Sequence, residues 1–482
     1  MTVESGPKEK GAEIMGPGEG QPSGLKVDTI VAKATASGPG AVAVIRMSGA
    51  RALEIAQRLV SRDTKNIEDR VATLVLLRDP SDQQAQDRVL VTLFRRPSSY
   101  TGEDVVEFAC HGGSFVPELV LQACLNCGAR KAEAGEFTRR AVLNGKLDLI
   151  QAEAILSLVE STSQAAHEAA VFQLEKGLTN AIEGVRKEII ELQASLASHI
   201  DFPEEDEGPV SVADIIEQAG HMKQALTKLL ETAPEGELLK EGALVVLAGP
   251  PNSGKSSLYN KLLGQQRAIV SDIPGTTRDA LEASISLGGF PFRIVDTAGI
   301  RPSSEALEQL GIEVAKGHLK KANLVLFCID SQSEMGTEVK QFMQEMKGTP
   351  VVVLRTKMDL VNPAEQRVSE DLGFVTAATL WISSQDNTGI PELRQLLPSL
   401  VYAGLVKSGV SVPLLLQERQ RKAANEAKRC VEAFLTDAAT GVPLEMACAQ
   451  LQLAENYLEE LTGTVALEEV LDALFASFCI GK

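Results

Sequence analysis

Gly249-Pro-Pro-Asn-Ser-Gly-Lys-Ser256 is the stretch that decides the fold. It matches G-x-x-x-x-G-K-[ST], a loop whose glycines let backbone N–H groups converge on phosphate oxygens. The apolar run ALVVLA at 243–248 reads as a strand entering the loop, and the residues after Ser256 read as a helix leaving it. That helix adds the positive end of its dipole to the same spot. Lys255 can then reach the β and γ phosphates, and Ser256 offers a hydroxyl to Mg2+. Asn252, Ser253, Gly254 and Ser257 complete the nucleotide-binding loop.

Working downstream, Gly275-Thr276-Thr277 falls about twenty residues after Ser256, in a stretch that reads as a loop. A threonine there can place its hydroxyl on Mg2+ when a γ phosphate is present, and Thr277 is the residue assigned to this role. Asp296-Thr297-Ala298-Gly299 closes the apolar run FRIVD at 292–296. Asp296 can hold the Mg2+ shell through water, and the Gly299 amide can bond the γ phosphate. The next residue is Ile300, where many small GTPases carry a water-positioning Gln, so a polar group must come from elsewhere. Thr356-Lys357-Met358-Asp359 closes the run PVVVLR at 350–355. Asp359 can accept from guanine N1–H and N2–H2, and would be left unpaired against adenine, which discriminates strongly. The usual motif begins with Asn, so Thr356 bears on affinity for the base more than on its identity. Ser383-Ser384 stands where backbone amides meet the guanine oxygen.

The rest of the 482-residue chain is too long for one ordinary domain and implies two to four. Apolar residues make up 44% but aromatics only 4%, so the cores must be built of Leu, Val, Ile and Ala. The net charge of −18 argues against sequence-blind nucleic-acid binding, though a local basic patch would still serve. Seven scattered cysteines, an odd number, argue for a reducing compartment over a disulfide framework. Cys124 and Cys127 form a CxxC, read as two cysteines on one helical face because no second pair follows at zinc spacing. No apolar run is long enough for a membrane span. Residues 1–25 are rich in Gly, Pro and Glu, resemble neither a secretory signal nor a transit peptide, and read as a disordered tail. A cytoplasmic protein is the expectation.

Residues 28–35, 41–46, 89–94 and 104–109 read as strands, and 49–60 and 114–126 as helices, giving a mixed first region over 26–145. From Leu149 to about His199 the spacing predicts helical structure. The acidic run Asp201–Glu207 reads as a solvated loop, and helix resumes over 211–232. Short apolar runs at 243–248, 292–296, 324–330, 350–355 and 379–383 alternate with helical stretches, as buried parallel strands do. After about residue 405 the pattern is helical to the end. The simplest arrangement packs the helical segments 146–240 and 405–482 together, with the α/β domain 241–404 inserted between them.

The flanks carry a sharper signal. Tyr100-Thr-Gly-Glu-Asp-Val-Val-Glu107, His111-Gly-Gly, Ala134-Gly-Glu-Phe-Thr-Arg-Arg140, Asn144-Gly-Lys-Leu-Asp-Leu149 and the terminal Phe478-Cys479-Ile480-Gly481-Lys482 together resemble the MnmE (TrmE) family of tRNA modification GTPases, over about residues 26–482. The resemblance implies a multidomain α/β fold: an N-terminal α+β folate-binding domain that forms a homodimer, an α-helical domain, and a Ras-like P-loop GTPase domain inserted into it. It implies GTP hydrolysis, with GDP as product, and joint action with the flavoprotein MnmG. The two would add an aminomethyl or carboxymethylaminomethyl group to carbon 5 of the wobble uridine of tRNA. The one-carbon donor would be 5,10-methylenetetrahydrofolate, with 5-formyltetrahydrofolate as a ligand of the same site. Folate contacts carry over to Arg46, Glu107 and Lys146, with Lys482 nearby. K+ ligands carry over to Asn252 and to Ser271, Ile273 and Thr276 of the loop Ser271-Asp272-Ile273-Pro274-Gly275-Thr276. A cation there would offset charge developing between the β and γ phosphates. Glu308 carries over as the residue that orients the attacking water, answering Ile300, and Cys479 as a participant in the modification chemistry. Without the resemblance, Arg46, Glu107, Lys146 and Glu308 read as surface charges and Cys479 as an idle thiol.

Two other classes fit the nucleotide motifs. A GTP-gated binding switch such as a ribosome-assembly factor would need no Arg46, Glu107 and Lys146. A folate-dependent one-carbon transferase under G-domain control differs in not needing MnmG.

Overall fold

The computed structural model describes residues 28–81, 83–201, 211–264, 282–296, 317–333, 342, 344, 346, 348–361, 376–464 and 468–481. The chain divides into two compact units, one of residues up to Lys146 together with those from Phe475 onward, the other spanning Leu147–Leu474.

The first unit is built on a six-stranded sheet of order β3-β4-β5-β2-β1-β6. Its strands are β1 (Ile30–Lys33), β2 (Val42–Ser48), β3 (Thr73–Arg78), β4 (Ala85–Phe94), β5 (Val105–His111) and β6 (Arg130–Lys131). Pairing is antiparallel except for β1 with β6. Alternation along β2 sends Ala43, Ile45 and Met47 into a core shared with Ile55 and Leu59 of helix Ala52–Leu59 and Val120 of helix Val116–Asn126. Arg46 stands on the opposite face, directly across from Glu107 of β5. Cys124 and Cys127 are buried free thiols of the core, both pushed up in pKa by burial.

Three elements of this unit lie outside the expected set: β3, the two-residue β6 and helix Glu136–Leu143. β3 reads poorly as a strand because it sits at the sheet edge with Leu74 exposed, so its apolar run lacks clean alternation. Helix Glu136–Leu143 lies inside a stretch left unassigned. The expected helix to the C-terminus also fails: residues 409–417 are not helical, and after helix Glu468–Phe475 the chain turns back onto the first unit. Ile480 pairs with Ala134, and the Gly135 amide donates to the Cys479 carbonyl at 3.4 Å. Gly481, at φ +101°, lies so close to the Lys33 carbonyl that a Cβ would sit 2.2 Å from its oxygen.

In the second unit, the stretch from 149 is helical as expected and is divided into Leu149–Glu160, Gln164–Leu174 and Gly177–Asp201. Ser163 caps the second, its hydroxyl accepting from the Ala166 amide, and Lys176 takes a left-handed turn before the third. Helices Gly177–Asp201, Val212–Glu231, Glu418–Ala439 and Leu444–Thr462 share one core through Leu192, Leu226, Phe434 and Leu458. A buried ion pair links the early and late helices: Arg419 bonds Glu153 at 2.7 Å, and Gln420 donates to the same carboxylate.

The second sheet has the order β12-β11-β10-β7-β9-β8, with β7 (Ala243–Ala248), β8 (Glu282–Leu287), β9 (Phe290–Asp296), β10 (Leu324–Asp330), β11 (Val351–Thr356) and β12 (Ala378–Trp381). Pairing is parallel except for the hairpin β8–β9. The apolar runs 243–248 and 324–330 match their strands residue for residue. β11 runs one residue later than read and takes in Thr356, β12 ends two residues early at Trp381, and β8 was not anticipated. The two crossings into this sheet meet at Tyr402, fully buried, whose hydroxyl lies 2.7 Å from the Pro291 carbonyl and accepts from the Ala243 amide at 3.3 Å. Glu235 holds the Gly404 and Leu405 amides at 2.8 Å each.

Candidate functional site

β7 delivers the chain into the loop at the carboxyl end of the parallel strands, where ligands of open α/β sheets bind. Gly249 takes φ +133°, and a Cβ there would lie 2.1 Å from the Cys328 carbonyl of β10. Asn252 takes φ +60° and Gly254 φ +85°, so the loop coils with its amides inward before helix Lys255–Gly264 begins. Lys255 is buried and its amine donates to the Gly249 and Pro250 carbonyls at 2.8 and 2.7 Å, folded over the loop. Ser256 donates its hydroxyl to Asp296 at 2.7 Å. A hydroxyl and a carboxylate converging from helix and strand are hard oxygen donors of the kind Mg2+ takes. Ser253 is buried, and among the described residues its hydroxyl has no hydrogen-bond partner. Ser257 is exposed on the helix's first turn. Burial pushes the Cys328 thiol up to about 12, so this sulfur beside the loop stays protonated and inert.

The base side is assembled from the ends of β11 and β12. The Thr356 hydroxyl lies 2.8 Å from the Ser253 carbonyl and 3.2 Å from the Ile329 carbonyl, tying the phosphate loop to β11 and β10. This tether is what the Thr in place of Asn does, and it joins positions too far apart in sequence for the motif to show. Lys357 turns left-handed at φ +57° and pairs with Asp330 at 2.7 Å. Met358 is buried, while Asp359 is exposed and accepts from the Ser383 hydroxyl at 2.7 Å. Ser383 in turn accepts from the Gln385 and Asp386 amides, so the 383–386 turn is organised around the carboxylate's partner, with Ser384 half-buried inside it. Ser271, Asp272, Ile273, Pro274, Gly275, Thr276, Thr277, Thr297, Ala298, Gly299, Glu308 and Lys482 lie outside the described residues.

The first unit holds a second polar cluster. Arg46 and Glu107 pair at 2.8 Å, each about a quarter exposed. The guanidinium also lies 5.5 Å from the Tyr100 ring centre and 5.8 Å from that of Phe137. Tyr100 and Phe137 were not singled out in the sequence, although both lie inside the quoted motifs. Lys146 donates to the Pro97 carbonyl at 3.1 Å, three residues before Tyr100. Cys479 is exposed beside Gly135, two residues before Phe137. Beneath them Arg140, buried, bonds Asp28, Glu103 and Glu136.

Comparison with known proteins decides what these two sites belong to. A family model described as "GTP-binding protein TrmE N-terminus" matches residues 29–146, and one described as "MnmE helical domain" matches residues 149–479. The tRNA modification GTPase MnmE of Clostridioides difficile is 37% identical over 460 residues, covering 94% of this chain and 99% of its own. The chain belongs to the MnmE family of tRNA modification GTPases. The MnmE proteins of Moorella thermoacetica and Heliobacterium modesticaldum match at 37% and 39% identity over the same 94% of the chain. The two family models together span both units, the Arg46–Glu107 pair falling within the match at 29–146 and the phosphate loop within the match at 149–479.

Proposed function

We propose that this chain is a potassium-dependent GTP hydrolase acting with the flavoprotein MnmG on tRNA. The pair adds an aminomethyl or carboxymethylaminomethyl group to carbon 5 of the wobble uridine, taking one carbon from a tetrahydrofolate donor and the amine from ammonia or glycine. The observation that carries the reading is the convergence of Lys255, Ser256 and Asp296 at the end of β7, in a chain that matches tRNA modification GTPases along nearly its whole length.

At the nucleotide site, Lys255 would give up its two carbonyl partners for phosphate oxygens, and Ser256, with Asp296 acting through water, would hold Mg2+, which when bound supplies charge neutralisation at the phosphates. Thr277 and Gly299 would complete the γ-phosphate side and Glu308 the placement of water. Asn252, at the mouth of the loop, is exposed and offers its amide oxygen to K+, joined by Ser271, Ile273 and Thr276. Asp359, oriented by Ser383, reads guanine, with Lys357 and Ser384 lining the base.

In the first unit, Glu107 presents a carboxylate suited to the donor edge of a pterin, steered by Arg46, while Lys146 and Lys482 suit the glutamate tail of a folate. Cys479 offers a thiol beside the same cluster. The outer sheet face bearing Leu74, directly across from Leu90, is exposed at 63% and 43%, in keeping with a homodimer formed through this unit. No described helix is long and apolar enough to cross a membrane, and a cytoplasmic location fits the reading.

Steady-state GTP turnover in K+ against Na+ tests the hydrolytic half. Turnover at least tenfold faster in K+ is expected, and equal rates would remove the cation role of Asn252.

A further inference from the structure

The whole chain carries −18, yet the charge is not spread evenly. Residues 28–146 hold sixteen Lys and Arg against fourteen Asp and Glu, a net of +2, which leaves the remainder at −20. Within this unit the cations gather around one loop. Arg70 donates to the Ser98 carbonyl at 2.7 Å, Lys146 to the neighbouring Pro97 carbonyl at 3.1 Å, and Arg96 precedes Pro97 in the chain. Bonds to adjacent carbonyls place the Arg70 and Lys146 charges within about 10 Å of each other. Arg95, next in line, donates to the Thr64 carbonyl at 3.2 Å and so draws in the turn carrying Arg62 and Lys65.

The opposing groups are few and engaged. Asp69 pairs with Arg95, Asp63 accepts from the Lys65 amide, and Asp104 accepts from the Arg96 amide at 2.9 Å. Glu68, exposed, is the remaining carboxylate of this stretch. Among the described residues, Arg62, Lys65, Arg70, Arg96 and Lys146 are all exposed and make no ion pair. The helical cations differ: Arg421, Lys422, Lys428 and Arg429 each face a glutamate.

We propose that the surface around residues 95–98, with Arg70 and Arg96 at its centre and Arg62 and Lys65 at its margin, is where the phosphate backbone of tRNA docks on this acidic protein, with Lys146 on the side of the loop that faces the folate cluster. The inference rests on the reading of tRNA as substrate. Exposed cations free of carboxylate partners release counterions on meeting phosphates, whereas cations already paired do not. The placement also brings the RNA to the Arg46–Glu107 cluster, since Pro97 and Tyr100 belong to the same loop.

The test is tRNA affinity across a salt series for the full-length protein and an Arg70→Glu/Arg96→Glu variant. We expect affinity to fall about tenfold or more at 100 mM salt. The slope of log K against log salt should shrink by roughly 1.5, two phosphate contacts having been lost. GTP turnover and 5-formyltetrahydrofolate binding should be unchanged, which certifies both units as folded. Arg70→Gln/Arg96→Gln should show a smaller loss of the same kind, and Arg429→Glu none. Wild-type binding undiminished in the double variant would overturn the inference alone. Absence of tRNA binding by the wild type, with or without MnmG, would remove the parent reading as well. The inference also falls if the variant keeps tRNA affinity but loses a preference for polyglutamylated over monoglutamylated folate, since the loop would then track a folate tail.

Discussion

Thr356→Val removes the hydroxyl that ties the phosphate loop to β11 while keeping side-chain shape. One proton serves two carbonyls, Ser253 at 2.8 Å and Ile329 at 3.2 Å, so the loss is a single hydrogen bond at a residue 4% exposed. Such a bond contributes about 0.5–1.5 kcal/mol net. If that energy serves to hold the loop in its nucleotide-binding coil, GDP affinity falls by about two- to tenfold. The hydroxyl touches the loop and not the base, so GDP and IDP should weaken by the same factor, whereas Asp359→Asn should alter their ratio. Titration calorimetry with both nucleotides checks this, alongside thermal unfolding of the nucleotide-free protein. Thr356→Asn, which restores the common motif, should bind at least as tightly as the wild type. Unchanged GDP affinity in Thr356→Val, with a stability loss of about 1 kcal/mol, would refute the tether and leave Thr356 a plain strand residue.

Gly249→Ala would place a methyl 2.1 Å from the Cys328 carbonyl at a left-handed φ, so nucleotide binding should be lost in equilibrium dialysis while folate binding in the other unit survives. Glu308→Ala should nearly abolish hydrolysis in a phosphate-release assay with GTP affinity retained; loss of affinity would point to a structural role. In the first unit, burial would raise the Glu136 and Asp28 carboxyls, but hydrogen bonds from Arg130 and Arg140, joined at Glu136 by the Glu133 amide, outweigh it and hold both below their usual values. Their stabilisation is therefore present above about pH 4.5 and drains away as pH falls through the depressed values. Glu136→Gln should cost roughly 1–3 kcal/mol at pH 7, and the gap in Tm from the wild type should narrow toward pH 3; a gap independent of pH would contradict the assignment.

The parallel strands were readable because strands buried on both faces are unbroken apolar runs, and β7 and β10 match residue for residue. β8 was not, since Glu282 and Ser284 face outward and the turn at Gly288-Gly289 hides the hairpin. The break at Ser161–Ser163 is marked in the structure by the Ser163 cap, a signal that apolar spacing does not carry. The motif spacing that singles out Lys255, Ser256, Asp296 and Asp359 is legible because each motif lies at or just after the end of an apolar strand. The Arg46–Glu107 pair joins residues sixty-one apart in sequence across two strands, and no local pattern announces it; only the family resemblance pointed there. The return of Cys479 to Gly135 is equally invisible to periodicity, being a contact between residues far apart in the chain.

The most direct measurement is nucleoside analysis of tRNA incubated with this protein, MnmG, GTP, K+, Mg2+, 5,10-methylenetetrahydrofolate and an amine, ammonium or glycine, each omitted in turn. The account predicts a C5-modified uridine only when all are present, and none when Lys255→Ala replaces the wild type. GTP consumed without any modified uridine in the complete mixture would contradict it.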